Sequence, residues 1–102
     1  MELKPGSRWR SAVCDAELVV VRAPAEDVRL ECGGHPVLPV EGRPTPGIAI
    51  DSRFAEGTPV GKRFADDGCG IEVLVTKSGQ GSLAVNGVPL SLKQAKPLPS
   101  SD

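Results

Sequence analysis

Aromatic side chains are nearly missing from this chain of 102 residues: Trp9, Phe54 and Phe64 are the whole complement, and tyrosine is absent. The core must therefore be built mostly from aliphatic residues. Charge of one sign is missing too, since 12 basic residues face 13 acidic ones. A net charge of -1 gives no global field to draw in nucleic acid or an anionic membrane, so neither is expected as a partner. No apolar run approaches the roughly 20 residues that a membrane span requires. The segment Met1 to Pro5 lacks the apolar centre of a signal peptide, so a cytoplasmic location is expected. There is one histidine, His35, and no Ser or Asp is spaced to make a triad with it, so the chain is not expected to be an enzyme. Three cysteines cannot all pair within one chain, and no disulfide framework is implied.

What the chain does have is Val, Leu, Ala and Ile, interrupted by ten prolines and twelve glycines. Branched side chains favour strands, and frequent Gly and Pro exclude long helices. An all-β fold follows. Strands are expected at Arg8 to Ser11, at Glu17 to Arg22 around the run Leu18-Val19-Val20-Val21, and at Val28 to Cys32, where apolar and charged residues alternate. The second and third should form a hairpin around a turn at 24–27. A brief pairing segment is read at Ile48 to Ile50. Further strands are expected at Gly61 to Phe64, Glu72 to Lys77, Ser82 to Val85 and, after the hairpin turn signal Asn86-Gly87, at Val88 to Leu92.

These segments repeat. At a shift of 55 residues, Gly6, Arg8, Cys14, Glu17 and Val20 recur as Gly61, Arg63, Cys69, Glu72 and Val75, with Trp9 over Phe64 and Arg22 over Lys77. After a two-residue gap, Leu30, Gly34, Pro36 and Val37 fall over Leu83, Gly87, Pro89 and Leu90. The chain thus reads as two tandem β-hairpin units with pseudo-twofold duplication, forming one small domain over 1–102. Its parts are a unit at 6–37, a Pro-rich connector at 38–60, a second unit at 61–92 and a flexible tail at 93–102.

Chemistry concentrates in the first unit. If the hairpin forms, Glu17 and Cys32 meet at its open end, Cys14 lies just beyond, and Cys32-x-x-His35 has knuckle spacing. Cys14, Glu17, Cys32 and His35 are therefore the candidate ligands of a zinc or iron site. Each also has a plainer reading: cysteine as a small buried hydrophobe, His35 as a turn residue, and Glu17 as a residue of the fold, since it recurs as Glu72. A Cys14–Cys32 disulfide or reactive thiol is a further reading, with Arg10 a source of the positive charge that a thiolate needs.

The first unit resembles the desulforedoxin family, in which iron is held by four cysteines: a C-x-x-C pair before a Val-rich strand and two adjacent cysteines followed by Gly. Cys14 and Cys32, with Gly33 after it, match the first and fourth positions, while Glu17 and Glu31 stand at the second and third. In the second unit only Cys69 remains, with Glu72, Ala84 and Val85 elsewhere. The resemblance implies a retained scaffold that has lost its Cys₄ iron centre. A small accessory protein that binds a larger protein partner, with no cofactor, is the expected function. A single-site zinc or iron protein is the alternative. High Ala, Gly, Pro, Arg and Val fits a GC-rich bacterial genome.

Overall fold

A computed structural model describes residues 1–44 and 47–93. The strands are β1 (Arg8–Arg10), β2 (Glu17–Arg22), β3 (Leu30–Cys32), β4 (His35–Pro36), β5 (Leu38–Pro39), β6 (Arg63–Ala65), β7 (Glu72–Lys77), β8 (Leu83–Val85), β9 (Val88–Pro89) and β10 (Ser91–Lys93). The fold is all-β, with a single 3-10 turn at Ser52–Phe54 among the described residues. Ile48 to Ile50, expected to pair, forms no strand. The tail expected at 93–102 lies outside the described residues, apart from Lys93.

All pairs are antiparallel, in a six-stranded sheet of order β10-β6-β7-β2-β1-β5 and a four-stranded sheet of order β4-β3-β8-β9. The branched run of β2 supplies the middle of the large sheet. Leu18 and Val20 face inward and pair with Val75 and Val73 of β7, and all four are essentially inaccessible. Because successive strand residues alternate between faces, Val19 and Leu74 are left on the outer side.

The expected hairpin between 17–22 and 28–32 does not form. Both edges of β2 are already filled, by β1 and β7, so the chain leaves the sheet after Arg22. It re-enters structure only at Leu30, where β3 pairs with β8 and β4. The alternation in Val28 to Cys32 was misleading for the same reason. All of Leu30, Glu31 and Cys32 are buried, and Glu31 is accommodated by accepting the Gly87 N–H at 2.7 Å.

Both sheet orders read the same from either end when β1, β2, β3, β4 and β5 are exchanged with β6, β7, β8, β9 and β10. Backbone bonds follow the same exchange. Gly6 N–H donates to Val20 O at 2.7 Å and Gly61 N–H to Val75 O at 2.9 Å, while Val37 to Leu30 and Leu90 to Leu83 both measure 3.0 Å. The tight turns match as well: Gly33 and Gly34 have φ of 65° and 87°, Asn86 and Gly87 of 50° and 82°. Two successive positive φ values give a hairpin turn whose twist suits the flanking strands, and Gly and Asn tolerate them.

One core joins the two halves. Ala16, Leu18, Val20, Leu30, Cys32 and Val37 pack with Ile71, Val73, Val75, Leu83, Val85 and Leu90, and Trp9 and Phe64 close its sides. Edge strands β4, β5 and β9 each end on a proline, and β10 ends on Lys93. Proline cannot donate to another strand, and lysine resists burial in a ladder, so the edges are poor templates for strand addition.

Candidate functional site

Ser11, just past β1, starts the site. Its Oγ accepts the N–H groups of Val13 and Cys14, both at 3.1 Å, and its own N–H donates to Ala16 O at 2.9 Å. This tight loop turns Cys14 back toward the core. Cys32, at the end of β3, is fully buried, and its Sγ lies 3.9 Å from that of half-buried Cys14.

A glycine turn from the other half covers the sulfurs. Gly81 N–H donates to Cys14 Sγ at 3.5 Å. A Cβ added at Gly79 would sit 2.7 Å from Cys14 Sγ and 2.5 Å from Ala16 N; one at Gly81 would sit 2.9 Å from Gly33 Cα and 3.2 Å from Cys32 Sγ. Only glycine permits this approach. Buried Thr58 pins the turn, exchanging backbone bonds with Gly79 at 2.9 and 3.2 Å and donating its hydroxyl to Gly81 O.

The two thiols sit in opposite electrostatic settings. Burial pushes Cys14 up, but hydrogen bonds involving Ser11, the Ala16 and Gly81 backbone and Cys32 outweigh it, leaving Cys14 below the ordinary thiol range. Cys32 is pushed up to about 12, first by burial and then by the charge of Cys14. Cys14 is therefore the more readily ionised sulfur of the pair, and Cys32 is the thiol that keeps its proton beside it.

The second half does not reproduce this pair. Asp66 takes the place of Ser11, accepting the Cys69 N–H at 3.3 Å, but Val85 stands where β3 has Cys32. Pro24 and Glu26 occupy the positions of Gly79 and Gly81, and the loop's Ala25 N–H donates to the Cys69 carbonyl at 2.7 Å. Burial raises Cys69.

Of the four sequence candidates, Cys14 and Cys32 come together and the other two do not. Glu17 was expected beside Cys32, but β2 and β3 belong to different sheets, and Glu17 faces outward to Lys77 at 3.8 Å. His35 shares a 2.9 Å hydrogen bond with Ala49 O through Nε2. Among the described residues, no group of three or more His, Cys, Asp and Glu side chains is placed to hold a metal ion. Arg10, expected to supply positive charge, reaches instead to Gly42 O at 3.5 Å. Ser11, Thr58, Gly79 and Gly81 were missed as site residues. The available signal was the difference between the aligned loops, Pro24-Ala25-Glu26 against Gly79-Gln80-Gly81.

A second chemical feature is the outer face of the six-stranded sheet. Paired residues share a face, so Arg8, Val19, Leu74, Arg63 and Lys93 form one row across it, and Arg10, Glu17 and Lys77 form another. Arg22 pairs with Glu72 across the same seam. Half of the chain's 12 basic residues thus stand on this face, against Glu17 and Glu72. Glu72 is buried between Arg63, at 3.3 Å, and Lys93, and its carboxyl is held below the usual range first by its Lys93 hydrogen bond. Arg10 Nε is the one buried side-chain nitrogen or oxygen without a hydrogen-bond partner among the described residues. Two clefts flank the seam. One, of about 290 Å³, is lined by Arg8, Trp9, Glu17, Val19 and Thr76 among others; the other, of about 310 Å³, is lined by Arg22 and Lys93 and by the acidic Asp66, Asp67 and Glu72.

No family model, curated protein or solved structure matches this chain.

Proposed function

We propose that the chain is a small non-enzymatic accessory protein that binds a larger, acidic protein partner through the outer face of its six-stranded sheet. The observation that carries this is the segregation of charge. A chain of net charge -1 gathers Arg8, Arg10, Arg22, Arg63, Lys77 and Lys93 around an aliphatic seam of Val19 and Leu74. An apolar centre rimmed by cations complements a surface with apolar anchors and carboxylates. A protein is favoured over single-stranded nucleic acid because the net charge of -1 supplies no general field for phosphates and the sheet offers only Trp9 and Phe64 as aromatics, both partly packed against the core. Proline-ended edges direct binding away from strand addition and toward the face.

On this reading the scaffold is a duplicated, desulforedoxin-like unit that kept its strands and lost most metal ligands. The matched spacing of Cys14 and Cys32, and Glu17 and Glu31 committed to Lys77 and Gly87 instead, support it. One observation favours a second reading, zinc or iron at Cys14 and Cys32. Their 3.9 Å separation is near the roughly 3.8 Å edge of a tetrahedron built with metal–sulfur bonds of about 2.3 Å. That reading needs further ligands from outside the pair.

Charge reversal tests the primary reading. Arg8→Glu with Arg63→Glu should release a partner retained from native lysate by the wild type at low salt. Arg29→Glu with Arg53→Glu, the same charge change off the face, should retain it. A partner held equally by the first variant would contradict the assignment. Elemental analysis tests the second reading, which stands on about one metal per chain and falls on none.

A further inference from the structure

We propose that Cys14 and Cys32 are a redox site that closes to a reversible intramolecular disulfide by exchange with low-molecular-mass disulfides. The two sulfurs are 3.9 Å apart, one on the loop after β1 and the other at the end of β3, and must approach to about 2.05 Å for a bond. Their exposures differ in the sense that exchange requires. Half-buried Cys14 can meet a small reagent, whereas Cys32 has no exposed surface and can react only with its neighbour. The Gly81 N–H directed at Cys14 Sγ supports negative charge on the attacking sulfur, and the missing Cβ atoms at Gly79 and Gly81 are what let the turn reach it.

Packing does not demand the second thiol. The fold places buried Val85 at the equivalent position of β8 and closes the core there with an aliphatic side chain. A thiol at position 32 therefore adds chemistry rather than volume. Cys14 lies in the loop between β1 and β2 of the six-stranded sheet and Cys32 in β3 of the four-stranded one, so their bond would staple that loop to β3.

The exchange balances in two displacements. The Cys14 thiolate attacks one sulfur of the reagent disulfide, forming a mixed disulfide and expelling one thiolate. Cys32 then gives up its proton and attacks Cys14 Sγ, forming the internal bond and expelling the second thiolate. The protein loses two electrons and two protons, and the reagent disulfide is reduced to two thiols.

The test treats the reduced, full-length chain alone with excess glutathione disulfide at neutral pH, so its outcome does not depend on any partner. Intact mass should fall by two hydrogens, peptide mapping should show Cys14 bonded to Cys32 with Cys69 free, and dithiothreitol should reverse it. The bridge constrains the unfolded chain, so Tm should rise by several degrees. Cys32→Val, which installs the residue found in the other half, should stop at a glutathione adduct on Cys14. Three free thiols in the wild type, a lasting adduct on wild-type Cys14, or first reaction at Cys69 would each overturn the proposal.

Discussion

At the scale of single residues, Cys14, Cys32 and Cys69 carry one side chain into three settings. Cys14 is lowered because hydrogen bonds to its sulfur outweigh its burial, whereas burial raises the other two. Iodoacetamide at neutral pH should therefore modify Cys14 first, with its labelling rate rising at a pH below the ordinary thiol value of about 8.5. Ser11→Ala should move that rise upward; peptide mapping across a pH series reads both effects, and equal, slow labelling of all three would contradict the assignment. Carboxylates act in the other direction. Asp51 is held down to about 2, first by its side-chain hydrogen bond with Arg53, and Glu72 is lowered mainly by Lys93. A carboxyl whose folded pKa lies below its unfolded one stabilises fully above the ordinary carboxylate range and loses that contribution as pH falls through its folded value. Urea midpoints should accordingly fall between about pH 4.5 and 2, and the fall should be shallower in Glu72→Gln.

At the scale of elements, the long branched strands were legible, whereas the short ones such as β5, and the partner of β2, were not. The runs Glu17 to Arg22 and Glu72 to Lys77 form six-residue strands at the expected bounds, because branched side chains suit a pleated surface whatever lies beside them. Asn86-Gly87 makes its turn for an equally local reason. Which strand lies next to β2 is a different kind of fact, fixed by which edges remain open once β1 and β7 have paired. No local pattern in Val28 to Cys32 encodes that. The candidate site inherited the error: Glu17 was placed near Cys32 through a hairpin that does not form, while the Gly79–Gly81 turn was invisible because it comes from the far half. Cys14 and Cys32 nevertheless lie together, since the turn at Ser11 and the burial of β3 bring their sulfurs close without that hairpin. The shared core makes a quantitative claim at this scale. Ile71→Ala, at a fully buried position, should cost about 2–5 kcal/mol in urea denaturation, whereas Val60→Ala, at a 57% exposed position, should stay within about 0.5 kcal/mol.

At the scale of the whole molecule, the balanced composition conceals an unbalanced surface. The formal charge of -1 removes a long-range field, yet sheet register places six cations on one face and leaves most acidic residues elsewhere. Sequence spacing alone could not show this, because the cations come from five strands of both halves. The exchange of β1 to β5 with β6 to β10 explains the pattern. Arg8 and Arg63 fall at equivalent places, and Arg22 beside Glu72 mirrors Lys77 beside Glu17 across the β2–β7 seam. The face therefore offers two related groups of cations around one aliphatic strip, with Glu17 in one and Glu72, Asp66 and Asp67 beside the other, while the thiol pair belongs to one half only. The most direct test is a titration of ¹⁵N-labelled chain with a short, glutamate-rich peptide carrying leucines, followed by amide chemical shifts at low and raised salt. Saturable shifts at Arg8, Arg10, Val19, Arg63, Leu74 and Lys93 that weaken as salt rises are the expected result. Shifts confined to the four-stranded sheet, or none at low salt, would contradict the assignment of this face as the binding surface.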